Sequence, residues 1–328
     1  MREVDRVHHG GSDDPNVLDF SANSNPEVPD GARTVYEDAF DGSRRYPPDG
    51  APEFCAAAAE YLGCERDQVV PTSGGLAAIR LAMRTLLEAG DEVLVPAPSF
   101  SEYVREARLA GADPTFVAHD GILDADPTDA AMAVVCTPNN PTGEAADPEA
   151  LRRFADRCRG ADTTLLVDEA FLGFTDEPTL AGRPGVVVAR SLTKLFGLPG
   201  LRAGFVVATG ERRDALERGR IAWSLGTPAA AVGAHCMAQT EFVERTRERV
   251  ASERARLRDR LGARYDVFPS DAPFLLLDVE DVDPVLARAS DHGVAVRDAR
   301  TFRGLDSHVR VAVRLPEEND RLLEALDA

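Results

Sequence analysis

Of the 37 lysine and arginine residues in this 328-residue chain, one is a lysine, Lys194, in the stretch Arg190-Ser191-Leu192-Thr193-Lys194-Leu195-Phe196-Gly197-Leu198-Pro199-Gly200-Leu201-Arg202. Arginine supplies charge and hydrogen bonds, but its guanidinium stays protonated and cannot condense with a carbonyl. A lysine amine of lowered pKa can. A chain that uses arginine everywhere else and lysine here points to Schiff-base chemistry at Lys194. Around it in sequence lie the hydroxyls of Ser191 and Thr193 and, past the Pro199-Gly200 turn, the cation of Arg202.

Other residues offer matching chemistry. Asp168 closes the apolar run Thr164-Leu165-Leu166-Val167, which puts a carboxylate at the tip of a buried parallel strand, where ligands of open α/β sheets bind. A Walker-type metal role lacks its G-x-x-x-x-G-K-[ST] partner, and an ion pair with a protonated pyridine nitrogen is the better use. Thr72-Ser73-Gly74-Gly75-Leu76 sets small residues at a helix start, where free amides favour a phosphate; a plain N-cap at Ser73 accounts for the same residues. Asn140, in Thr137-Pro138-Asn139-Asn140-Pro141-Thr142-Gly143, offers an amide to a ring oxygen or a carboxylate, and Phe100 is either a stacking ring or a helix-start core residue. Arg310 and Arg314, four apart on an expected strand, point to one face and can hold two anionic groups of one small substrate, or else form a surface ladder on an acidic protein.

These groups need a scaffold that brings distant segments together. Strands are expected at 92–95, 115–117, 132–136, 164–167, 186–188 and 204–207, with helices at 75–89, 101–110 and 148–158 between them. Continuous apolar strands alternating with helices argue a mostly parallel sheet covered on both faces. A helical tract over 228–261 leads to strands at 274–277, 294–296 and 309–313 and helices at 283–292 and 316–326, a smaller α+β unit. The expected division is an N-terminal arm with part of the small domain at 1–44, a large α/β domain at 45–226 and a small C-terminal domain at 227–328.

A net charge of -19 and a pI near 4.8 argue against nucleic acid or an anionic membrane as partner. Acid excess with almost no lysine suggests a protein kept soluble in concentrated salt. Five cysteines without a CxxC pair read as reduced thiols rather than a metal site, and no apolar run is long enough to span a membrane, so a cytoplasmic enzyme without metal is expected.

Ser-Leu-Thr-Lys with a downstream Gly-Leu-Arg, Asp-Glu-Ala-Phe, Asn-Asn-Pro-Thr-Gly and Arg45-Tyr46-Pro47 span nearly the whole chain in the order of the fold-type I pyridoxal-phosphate enzymes, and the set resembles that family, in the branch near the histidinol-phosphate aminotransferases. The resemblance implies pyridoxal 5'-phosphate held covalently by Lys194, with Asp168 at the pyridine nitrogen, Asn140 at the ring hydroxyl and Phe100 stacked on the ring. It also implies a phosphate held by the amides of Gly75 and Leu76, the hydroxyls of Ser191 and Thr193, and Arg202. Tyr46 would reach that phosphate from a neighbouring subunit, hence a homodimer. Phe171 and Leu76 stand where the family often has a tyrosine and an acidic residue.

Within the branch, His9-Gly10-Gly11, Leu18-Asp19-Phe20-Ser21-Ala22-Asn23, Ala222-Trp223-Ser224, Gly304-Leu305-Asp306-Ser307 and Arg310-Val311-Ala312-Val313-Arg314 resemble the L-threonine-O-3-phosphate decarboxylases of cobalamin biosynthesis. That likeness implies a small phosphorylated amino acid as substrate, its carboxylate and phosphate held by Arg310 and Arg314, with His9 and Asn140 assisting. Transamination of the histidinol-phosphate type is the alternative.

Overall fold

The computed structural model describes Arg6, residues 10–12 and residues 14–327. Seven strands form its central sheet: β1 (Val69–Thr72), β2 (Glu92–Ala97), β3 (Asp113–Ala118), β4 (Met132–Cys136), β5 (Thr164–Asp168), β6 (Val186–Ser191) and β7 (Gly204–Val207). They lie in the order β1-β7-β6-β5-β4-β2-β3, parallel from β6 to β3, with β7 antiparallel to both its neighbours. Both faces of β4, β5 and β6 are covered, which is why these segments read as nearly unbroken apolar runs, whereas β3 at the sheet's edge is half exposed. Val134, Leu166 and Val187 share one core with Ala78, Ile79 and Met83 of the helix Gly75–Leu86, while Val135, Val167 and Val188 share another with Leu151, Phe154 and Cys158 of the helix Pro148–Gly160.

A second, antiparallel sheet consists of β8 (Asp266–Val267), β9 (Phe274–Asp278), β10 (Arg297–Asp298) and β11 (His308–Ala312), in the order β10-β11-β9-β8. The helices Thr240–Leu261, Val282–Asp291 and Pro316–Leu326 accompany it, burying Leu257, Leu261, Leu322 and Leu326. The N-terminal arm joins this unit through a parallel pairing of Leu18–Asp19 with Val294–Ala295 and an Ala312 N–H donated to Phe20 O at 2.9 Å.

The elements depart from expectation in a few places. β1 and the helix Gly210–Gly219 were not foreseen, and the helical tract over 228–261 is two helices, Thr227–Met237 and Thr240–Leu261. The first is apolar and packs against the helices Ala32–Ala39 and Pro52–Leu62; the second is charged and partly solvated. The last strand ends at Ala312, because the Val313 N–H turns to Pro273 O at 2.8 Å and Pro316 then opens a helix.

Candidate active site

The C-terminal ends of β4, β5 and β6 deliver Asn140, Asp168 and the Ser191–Lys194 segment to one cavity, facing the start of the helix Gly75–Leu86. This is where a parallel sheet concentrates loops, and the order of the strands brings together side chains far apart in sequence. The second sheet closes the cavity with Arg297 and Arg310, the turn after β10 adds Phe302, and the N-terminal arm contributes Gly10, Ser21, Ala22 and Asn23. Behind it, a buried ion pair between Arg190 and Glu169, 2.9 Å long, ties the end of β5 to the end of β6.

Lys194 lies on the loop after β6, its carbonyl fixed by the Asn25 N–H at 2.9 Å, and its Nζ is 6.0 Å from the centre of the Phe171 ring. Burial, then the charges of Arg310 and Arg202, lower its ammonium from 10.5 to about 8, against the pull of Asp168. A substantial neutral fraction near neutral pH is what a nucleophilic amine requires.

Asp168 is buried at the strand tip, and burial raises its carboxyl above the ordinary range. Hydrogen bonds oppose that shift: Tyr103 Oη donates to Oδ2 at 2.6 Å and the Ala170 N–H to Oδ1 at 3.0 Å.

The helix Gly75–Leu86 has no acidic residue in its first turn, and its N-cap is Gly74, at φ 98°, without a side-chain cap. The capping alternative for Ser73 therefore fails; its hydroxyl is donated to Ser224 O instead. Cβ atoms would fill the space here: one on Gly74 would lie 2.7 Å from Arg202 Nη2, and one on Gly75 would lie 3.0 Å from Ser191 Cβ. Ser191 Oγ and Thr193 Oγ1 are 2.7 Å apart beside it. Free helix amides, two hydroxyls and a guanidinium around a glycine cradle form an anion site.

Arg310 is 5 % exposed, its Nη1 donating to Asn140 Oδ1 and its Nη2 to Ser21 O at 2.9 Å, while its buried Nε has no partner among the described residues. Desolvation and the charge of Arg297 push it down to about 9, against Asp19. Such a cation is poised to take an anionic group.

Arg314 does not join it. Past the strand's end at Ala312, its guanidinium turns to Glu318 (Nε to Oε2 3.1 Å, Nη2 to Oε1 2.9 Å) and to Asp19 O at 3.2 Å, away from the cavity lining. Alternation along a strand does not extend into the turn after it, so the shared-face expectation is corrected. The arginine that stands beside Arg310 in the cavity is Arg297, directly opposite it in the β10–β11 register. A two-residue strand leaves no periodic signal, so only the Arg-Asp step after Val294-Ala295-Val296 could have drawn attention to it. Tyr103 was also missed, because its role depends on a contact across 65 positions.

Of the remaining expected residues, Gly75, Leu76, Phe100, Asn140, Ser191, Thr193 and Arg202 line the cavity. Phe100 packs edge-on against Tyr103, with ring centres 5.6 Å apart. Tyr46 lies outside it, 79 % exposed and stacked at 4.5 Å on Trp223, itself 50 % exposed. His9 is outside the described residues. Among the described residues no group of three or more His, Cys, Asp or Glu is placed to hold a metal, and no helix is long and apolar enough to cross a membrane.

The residues present fit pyridoxal phosphate: an anion cradle, a carboxylate, an aromatic face and a lysine amine border one cavity.

The family model described as "Aminotransferase class I and II" matches residues 15–326. Among relatives, the chain is 31% identical to a histidinol-phosphate aminotransferase of Archaeoglobus fulgidus, covering 95% of this chain and 93% of the relative. It is 30% identical to the threonine-phosphate decarboxylase of Salmonella typhimurium, covering 94% and 90%. Its fold matches the crystal structure of a Sinorhizobium meliloti histidinol-phosphate aminotransferase in complex with pyridoxal-5'-phosphate, with a TM-score of 0.85 at 20% identity over 94% of this chain and 89% of that one.

Proposed function

The chain belongs to the class I and II aminotransferase family, and on that premise we propose that it decarboxylates L-threonine O-3-phosphate to (R)-1-aminopropan-2-ol O-phosphate and carbon dioxide, a step of cobalamin biosynthesis. One observation carries the choice of reaction. The arm segments that resemble the decarboxylases, around Gly10 and Ser21-Ala22-Asn23, line the cavity itself, and Ser21 O accepts a hydrogen bond from Arg310.

Pyridoxal phosphate is the cofactor, and when bound it supplies an electron-accepting ring for the electrons of a bond broken at Cα. The chain supplies everything else. Lys194, part-neutral through burial, would be the covalent anchor, and its amine would supply the proton that Cα takes up in place of the carboxylate. Asp168 would hold a proton at the ring nitrogen, and Asn140 and Phe100, which line the same cavity, would hold the ring. The Gly74-Gly75 cradle with Ser191, Thr193 and Arg202 would hold the cofactor phosphate. Arg297 and Arg310 grip the two anionic groups of the substrate, and by orienting them they decide which bond at Cα lies in position to break. The site is completed in a homodimer, where the exposed Tyr46, stacked on Trp223, reaches the neighbouring subunit's phosphate cradle.

The aminotransferase reading has its own support in the relatives of 31% identity. Incubation with O-phosphothreonine and no oxo acid separates the two. Stoichiometric carbon dioxide with the amino-alcohol phosphate is expected. Turnover of histidinol phosphate that depends on 2-oxoglutarate, with no carbon dioxide from O-phosphothreonine, would replace decarboxylation by transamination.

A further inference from the structure

Both oxygens of Asp168 are engaged by the chain itself, and one partner is a side chain outside every motif discussed above. Tyr103, from the helix Glu102–Ala110, is fully buried and donates its hydroxyl to Asp168 Oδ2 at 2.6 Å, a short bond of the charge-assisted kind. The same ring meets Phe100 edge-on at 85°, so one residue braces both the carboxylate at the strand tip and the aromatic ring beside it.

We propose that Tyr103 is a positioning residue that aims the Asp168 carboxylate and, by occupying Oδ2, keeps the proton shared between Asp168 and the cofactor's ring nitrogen on the nitrogen. This rests on the reading of Asp168 as the partner of that nitrogen. The physical reason is a competition between two bases. Desolvation makes the buried carboxyl a stronger base, and the Tyr103 hydrogen bond is the largest of the influences opposing it. Tyr103 itself is held protonated, first by burial and then by the neighbouring Asp168 charge, so it stays a donor. Without that donor the carboxylate competes better for the shared proton, and the ring becomes a weaker electron acceptor.

The test uses holoenzyme reconstituted with pyridoxal phosphate labelled with 15N in the ring, where the nitrogen chemical shift reports protonation directly. Wild type is expected to show a protonated nitrogen, Asp168→Asn a neutral one, and Tyr103→Phe a nitrogen that loses its proton at lower pH than wild type. The last should also lose about ten- to a hundredfold in kcat at unchanged KM, as for one charge-assisted hydrogen bond. If Asp168→Asn moves the signal and Tyr103→Phe titrates as wild type, the inference fails and the Asp168 reading stands. If Asp168→Asn leaves the signal in place, the Asp168 reading falls, and this inference with it. Should Tyr103→Phe not fold, 3-fluorotyrosine installed at position 103 is a stronger donor of nearly the same shape. The nitrogen should then keep its proton to higher pH, and an equal or lower midpoint would overturn the role.

Discussion

A single lysine makes one electrostatic consequence directly measurable. Burial and the charges of Arg310 and Arg202 bring the Lys194 ammonium down from 10.5 to about 8, a difference worth about 3 kcal/mol between its two protonation states. In protein stripped of cofactor, about half the amine is then neutral at pH 8, against less than about 1 % for an ordinary lysine. Growth on lysine labelled with 13C at Cε yields one side-chain resonance, because the chain has one lysine. Its chemical shift should titrate with a midpoint near 8 in the folded apoprotein and near 10.4 in urea. The same shift sets the sign of a stability effect. Between the two midpoints the unfolded chain binds the proton and the folded chain does not, so this group makes stability rise with pH there. Relative to Lys194→Met, a comparison that cancels the shared titration of other groups, the wild-type apoprotein should gain about 2.5 kcal/mol between pH 8 and pH 10.5. A folded-state midpoint above 10, or a flat stability difference across that window, would refute the electrostatic picture of the cavity.

Other expectations follow from the same geometry. Gly74→Ala places a methyl against Arg202 at a backbone φ of 98°, and should weaken cofactor retention at least tenfold, measured by equilibrium dialysis, with the fold kept by circular dichroism. Arg297→Met and Arg310→Met should each lower kcat/KM for O-phosphothreonine by about ten- to a hundredfold, or 1.5–3 kcal/mol, because each removes a charge-assisted contact. Arg314→Met, which breaks the pair with Glu318, should instead lower the unfolding midpoint and leave KM within a factor of about three. Mixing Tyr46→Ala chains with Lys194→Ala chains should restore activity, since one site of each heterodimer then has both groups; no recovery after demonstrated subunit exchange would count against a shared site.

Much of this site was readable because the chemistry left local marks. Lys194 is unique, Asp168 closes an apolar run, and Gly74-Gly75 has no use in a helix start except conformational freedom and close approach. The large sheet was legible because its inner parallel strands are buried on both faces and so carry nearly unbroken apolar stretches. β1 escaped notice because it is four residues long and contains Pro71; a strand lacking an N–H survives there because β1 is at the sheet's edge. The break between Met237 and Thr240 was marked only by a change from apolar to charged composition. Arg297 and Tyr103 act through partners that folding alone supplies: a cross-strand register with Arg310, and a hydrogen bond to a strand tip on another element. Extending strand alternation to Arg314 failed because the strand had already ended.

The reading of the cavity stands on Lys194 as the residue that bears pyridoxal phosphate. Purified holoenzyme reduced with borohydride, denatured and digested should carry the reduced cofactor on the one peptide containing Lys194, with its visible absorption band abolished, and Lys194→Ala should retain no covalent label. Cofactor that washes away after reduction and denaturation, or a label on any other peptide, would contradict it.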